Sequence, residues 1–152
     1  MGVFSYLCAG CLHPLLPDHQ LHINRWMNEA VAVLEDGKLR LGNYDGYGRI
    51  GGVDLPKYIE YNAARRAVTY EQAFTVWHRA CWTLLGAPMT CGEQALNAED
   101  QGYFYAVEDH ALPEPRTQRD VEEYRMWKQR TLPQKIAYLR ERGVDPFALP
   151  LE

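Results

Sequence analysis

Apolar positions follow two periods along this chain. Two short runs, Ala30–Leu34 and Lys38–Leu41, flank Glu35-Asp36-Gly37. Apolar-rich runs joined by an Asp-Gly turn predict a β-hairpin. Val3–Leu7 predicts a short strand, after which Pro14, Pro17 and Asp18 interrupt regular structure. Ile23–Met27 predicts a helical turn with Trp26 packed inward, and Val53–Tyr61 predicts a strand broken by Pro56, a residue that favours a sheet edge. The last third changes period. Val121, Tyr124 and Trp127 recur at helical spacing, so a helix is expected from Val121 to about Arg130, capped by Asp120. Thr131 would cap a second helix, with Pro133 in its first turn, Ile136, Tyr138 and Leu139 on its apolar side, and Gly143 as its stop. Lys135, Arg140 and Arg142 lie toward its C-terminus, where positive charge suits the helix dipole.

Between these regions stands Trp77-His78-Arg79-Ala80-Cys81-Trp82, which reads as the opening of a third helix. Thr75 is its expected cap and Gly86 its expected end. His78 and Cys81, at i and i+3, would then share a face. Near the N-terminus, Cys8-Ala9-Gly10-Cys11 offers a second pair at the same separation, with Gly10 suited to a tight turn. Three thiolates and one imidazole are the donor set of a closed structural zinc site, so Cys8, Cys11, His78 and Cys81 are the candidate ligands of a structural Zn2+. Trp77, Trp82, Leu84 and Leu85 would supply a dry shell around it. His13 competes with His78 as a ligand but would crowd Cys11, and Cys91 is a spare thiol, structural or the alternative fourth ligand. Two plainer readings stand beside this one: buried cysteines as small hydrophobes, and Cys-x2-Cys as a redox motif.

A Cys-x2-Cys knuckle, a β-rich insertion and a ligand pair at a helix start resemble the treble-clef zinc fingers. LIM-type modules among them carry a similar Trp-His-x-x-Cys-aromatic run. Such knuckles often have Gly after the second Cys, whereas this chain has Leu12. The whole chain also resembles an uncharacterised family of small, mainly bacterial proteins. The shared pieces are Phe4-Ser5-Tyr6, His13-Pro14-Leu15-Leu16, Tyr44-Asp45-Gly46-Tyr47-Gly48-Arg49, the Trp-His-x-x-Cys-Trp run and Glu99-Asp100-Gln101-Gly102-Tyr103-Phe104. This resemblance implies one coherent domain to about Phe104 and no particular activity. The expected fold class is α+β: a small antiparallel sheet with a treble-clef-like zinc site and C-terminal helices. Residues 1–112 would form the zinc-stabilised core, and 113–152 a helical pair and tail packed on it.

Composition narrows the function classes. With 152 residues, 47% of them hydrophobic, the chain is long enough to bury a core without staples. A formal charge of -4 disfavours nonspecific nucleic-acid binding, and Arg65-Arg66 is only a small basic point. No apolar run reaches the length of a membrane span, and no signal-peptide pattern opens the chain, so a cytoplasmic protein with reduced thiols is expected. Asp45, Tyr47 and Arg49 lie in a glycine-rich stretch that either presents them to a ligand or turns the backbone. Glu99, Asp100 and Tyr103 form another candidate binding cluster, with helix capping or a solvated turn as the plainer role. In Glu108-Asp109-His110 a carboxylate beside His can orient a metal ligand or base, and Asp45 or Glu99 with His110 is the acid-base set of a hydrolase reading. His19 and His22 read as surface or hydrogen-bonding residues, with a metal or catalytic role as the alternative. The expected role is therefore a noncatalytic module that binds another protein, one form being a cytoplasmic immunity or inhibitor protein. The alternatives are a small metal-dependent or acid-base hydrolase and a nucleic-acid-binding zinc protein.

Overall fold

The computed structural model describes residues 6–17, 25–56, 58–62, 67–91 and 112–144, with 58–62 and 67–70 described by their backbone. Among the described residues seven strands run from the first candidate ligand pair to the second, the last ending on His78: β1 (Glu29–Leu34), β2 (Leu39–Asn43), β3 (Arg49–Ile50), β4 (Val53–Asp54), β5 (Tyr58–Asn62), β6 (Ala67–Tyr70) and β7 (Phe74–His78). Three helices follow among the described residues: α1 (Arg79–Leu84), α2 (Gln118–Arg125) and α3 (Leu132–Glu141). The main sheet is antiparallel with the order β2-β1-β7, and β3-β4 and β5-β6 are separate two-stranded ribbons. The α+β class expected from the sequence is what the chain adopts.

The β1-β2 hairpin forms at the Asp-Gly turn, where Leu34 N donates to Lys38 O at 2.9 Å and Asp36 Oδ1 accepts from Lys38 N at 2.9 Å. β1 is the central strand, and its five residues from Ala30 to Leu34 are all buried. Its alternation therefore separates two cores rather than core from solvent. Ala30, Ala32 and Leu34 pack with Tyr6, Tyr44 and Phe74 on one face. Val31 and Val33 pack on the other with Trp77, the N-terminal cysteines and the C-terminal helices.

β7 explains one departure from expectation. Thr75 does not cap a helix; it is a buried strand residue paired with Val33. The run Phe74-Thr75-Val76-Trp77 is aromatic and β-branched, suits a pleated surface, and pairs with β1 through His78. Helix α1 therefore starts at Arg79, with His78 as its N-terminal flanking residue. Its end is where Gly86 predicts: Gly86 N donates to Thr83 O at 3.2 Å and Ala87 N to Trp82 O at 2.8 Å.

The glycine-rich stretch closes on itself. Asp45 Oδ1 accepts from Tyr47 N at 2.7 Å and Arg49 N at 3.0 Å, and Arg49 Nε donates to Asp54 Oδ1 at 2.8 Å. Gly51 and Gly52 link β3 to β4, and the backbone of Gly51 passes directly against β2. A Cβ on Gly51 would lie 2.5 Å from Leu41 O, and one on Gly42 would lie 2.6 Å from Gly51 Cα. The strand reading of Val53–Tyr61 splits at Leu55-Pro56 into β4 and β5.

In the C-terminal region α2 begins at Gln118, earlier than expected. Thr117 is its cap, and Asp120 completes a capping box from inside the first turn. The helix stops at Arg125, and a 3-10 turn over Trp127–Gln129 replaces its expected last turn. Thr131 caps α3 as expected, with Pro133 in the first turn. Val121, Tyr124, Trp127 and Leu139 are buried against the face of β1 that carries Val31 and Val33.

Candidate metal centre

The knuckle is a tight loop sewn to the outer edge of β7. Leu7 and Pro14 form an antiparallel bridge, Cys8 N donates to His13 O at 2.9 Å, and Leu12 N donates to Cys8 O at 2.9 Å. Closing this loop puts Leu12 at φ +64°, a left-handed conformation that glycine adopts more readily than leucine. Gly10 is needed for a different reason than the turn itself. It is not among the residues with positive φ, but an added Cβ would lie 3.0 Å from Leu85 Cδ1 and 3.1 Å from Cys81 Cβ. The glycine lets the knuckle press against α1. Ala9 N donates to Val76 O at 2.9 Å, which fixes the knuckle on β7 beside His78.

Cys8, Cys11, His78 and Cys81 converge there. All four are fully buried, and their potential ligand atoms lie within 4.8 Å of one another. A tetrahedral zinc, about 2.3 Å from sulfur, would set its sulfurs roughly 3.8 Å apart, so a small contraction of this cluster completes the shell. Backbone groups already point at the sulfur of Cys8, from His78 N at 3.2 Å and Gly10 N at 3.3 Å. Such donors stabilise a thiolate and orient it.

His78 presents a defined nitrogen. Its Nε2 lies 2.9 Å from Pro14 O, a pure acceptor, so Nε2 carries the proton and donates. In the neutral ring Nδ1 would then carry the lone pair, 3.2 Å from Cys11 Sγ and facing the cluster. The Trp26 ring packs edge-on to His78 at 4.8 Å between centroids, and Trp26 Nε1 donates to Leu112 O at 2.9 Å. Trp26 is packed inward, as its position in the Arg25–Met27 turn predicts.

The charges of the cluster are incompatible with three free thiolates. For Cys8, burial opposes ionisation, but hydrogen bonds from Cys11 and Cys81 and the neighbouring His78 outweigh it and hold the thiol well below its ordinary value. Burial and the hydrogen bonds and charge of its two neighbours push Cys11 well above. The hydrogen bond with Cys11 favours ionisation of Cys81, yet the bond to Cys8, burial and the Cys8 charge together push it up. One thiolate suppresses the other two; a dication placed among them would let all three ionise.

The competing candidates fall away from the cluster. His13 Nε2 is 2.8 Å from Tyr124 O, and Cys91 is not among the converging donors. All four cysteines are free of disulfides. Asp45 and Arg49 hold their own loop and ion pair, while Tyr47 is 56% exposed beside them. Glu99, Asp100 and Tyr103, with Glu108, Asp109, His110, His19, His22, Arg65 and Arg66, lie outside the described residues.

Two supporting residues have no sequence signature. Arg125, on α2, reaches back to the knuckle and donates from Nη1 to Ala9 O at 2.8 Å and Gly10 O at 3.1 Å. Pro14 contributes only a backbone carbonyl, invisible to any reading of residue types. Among the described residues, no helix is long and apolar enough to cross a membrane. Comparison of the chain with protein-family models, curated proteins and solved structures finds no match.

Proposed function

We propose that the Cys8-Cys11-His78-Cys81 cluster holds one zinc ion as a closed structural centre, and that the domain built on it is a noncatalytic module that engages another protein. The supporting observation is the convergence of four fully buried donors within 4.8 Å, with backbone N–H groups aimed at a sulfur and the imidazole held by a carbonyl. Sulfur-rich, water-excluded tetrahedral sites suit zinc and leave it no position for a reacting water. A catalytic zinc needs that position, so the hydrolase reading loses its metal.

The protein-binding role follows from what remains. Leu41, Tyr47 and Val53 are exposed on β2 and on the loop and ribbon that follow it, and exposed tyrosine is a residue type enriched at interfaces. A nucleic-acid role is disfavoured by the formal charge of -4, and four arginines are already engaged: Arg49 pairs with Asp54, Arg130 with Glu123 and Arg142 with Asp120, while Arg125 serves the knuckle. A cytoplasmic immunity or inhibitor protein is one form this role takes. Free thiols in a zinc centre belong in a reducing compartment.

X-ray absorption on the purified protein tests the closed centre: three sulfurs and one nitrogen are expected. An oxygen neighbour in the first shell would restore the hydrolase reading. For the role itself, the tagged chain is expected to retain a specific protein from its native host, with Tyr47→Ser weakening that capture. Repeated recovery of no macromolecule, or of nucleic acid alone, would overturn it.

A further inference from the structure

We infer that metal occupancy controls the docking of the C-terminal helical unit, residues 112–144. This rests on the zinc reading above and assigns a regulation to that same centre.

The two faces of the sheet carry separate cores. One, built from residues such as Tyr6, Tyr44, Ile50 and Phe74, contains neither a candidate ligand nor any residue of the helical unit. The other contains Cys8, Cys11 and Cys81 together with Leu112, Val121, Tyr124, Trp127 and Leu139. The helical unit contributes no strand to the main sheet, so backbone pairing there does not hold it.

Its polar anchors land on the metal centre's own scaffold. Arg125 donates to the carbonyls of Ala9 and Gly10, the two residues between the knuckle cysteines. Tyr124 O meets His13 Nε2, two residues past Cys11. Leu112 O accepts from Trp26, whose ring lies against His78 and stacks on Tyr124 at 6.1 Å. Val121 meets the knuckle at Gly10, where an added Cβ would lie 3.4 Å from Val121 Cγ1.

A bound dication fixes the backbone angles of Cys8–Cys11, and those angles aim the two carbonyls that Arg125 holds. Without it, the three cysteines and the imidazole are joined only by hydrogen bonds to sulfur, and the loop loses the shape that α2 recognises. The unit then leaves the face carrying Val31, Val33 and Trp77, while the opposite core keeps β2-β1-β7 together. Because the coupling is reciprocal, the docked helices also raise the affinity for zinc. Arg125 acts here as a positioning residue for the ligand loop, and loss of such outer partners weakens metal binding by about ten- to a hundredfold.

Hydrogen–deuterium exchange on the full chain, zinc-loaded and then stripped with a chelator, tests this. Amides of 118–125 and 132–141 are expected to exchange at least about a hundredfold faster once zinc leaves, as expected for a local opening, while β1 and β7 stay protected. Helices that keep their protection, or a sheet that loses it at the same step, would overturn the inference. In a chelator competition, Arg125→Ala is expected to bind one zinc roughly tenfold more weakly, with partial recovery in Arg125→Lys. Unchanged affinity in Arg125→Ala would also overturn it. A chain that binds no zinc defeats both the inference and the reading beneath it; zinc binding with indifferent helices defeats the inference alone.

Discussion

Gly10→Ala tests how closely the knuckle, α1 and α2 are packed. The φ of Gly10 is not in the left-handed region, so backbone conformation alone predicts a gain. Replacing a compatible glycine by alanine stabilises by about 0.4–1 kcal/mol through the unfolded chain. The new methyl, however, would sit 3.0 Å from Leu85 Cδ1, 3.1 Å from Cys81 Cβ and 3.4 Å from Val121 Cγ1. Leu85 can swing aside because the crowded atom ends a flexible side chain. Cys81 cannot, since its Cβ is fixed by helix α1 and by its convergence with the other donors. Overpacking of this kind costs about 1–3 kcal/mol. The net expectation is a loss of about 1–2 kcal/mol, or roughly 3–6 °C in melting temperature for a chain of this size. Thermal unfolding of the zinc-loaded protein by circular dichroism measures it, and metal affinity should fall in parallel as the loop is pushed off α1. A melting temperature equal to or above that of the parent would refute the reasoning, because the backbone gain would then be unopposed.

Three further outcomes are expected. Gly51→Ala should destabilise by more than about 2 kcal/mol, because its methyl meets Leu41 O at 2.5 Å, whereas Gly52→Ala meets nothing and should cost only the left-handed strain of about 1–2 kcal/mol; urea denaturation compares them. In the zinc-loaded protein, nitrogen NMR of His78 should show a protonated Nε2 and a metal-bound Nδ1, and the reverse pattern would break the link to Pro14 O. For Asp120, burial raises the carboxyl, but hydrogen bonds from Arg116 N and Tyr138 and the charge of Arg142 outweigh it and hold it below its ordinary 3.8. Its contribution is therefore present above the ordinary carboxylate range and lost as pH falls through the lowered value, so Asp120→Asn should flatten the acid limb of a stability–pH curve.

Local chemistry made much of this legible in advance. The Asp-Gly turn, the Thr131 cap, Gly86 and Gly143 are signals that act within a few residues, and each lies where it was expected. The convergence of Cys8, Cys11, His78 and Cys81 was readable because metal chemistry constrains both residue type and spacing. Readings failed where tertiary pairing decided. Thr75 has the chemistry of a cap, but β1 recruits it into a ladder, so only Cys81 of the second pair lies within α1. Asp120 has the chemistry of a cap and precedes the apolar positions, whereas Thr117 fills that role and Asp120 answers from N3. β6, at Ala67–Tyr70, is too short to show a period in the sequence. Arg125 and the Pro14 carbonyl depend on contacts more than 60 residues apart in sequence, which no local pattern encodes.

The central claim is that one ion draws the N-terminal knuckle and the end of β7 together. Metal content by native mass spectrometry, measured on the parent chain and on Cys81→Ser, tests it most directly. One zinc per chain in the parent and none retained in Cys81→Ser is the predicted result. A parent that stays folded and metal-free when zinc is supplied, or a Cys81→Ser chain that holds zinc as tightly as the parent, would contradict it.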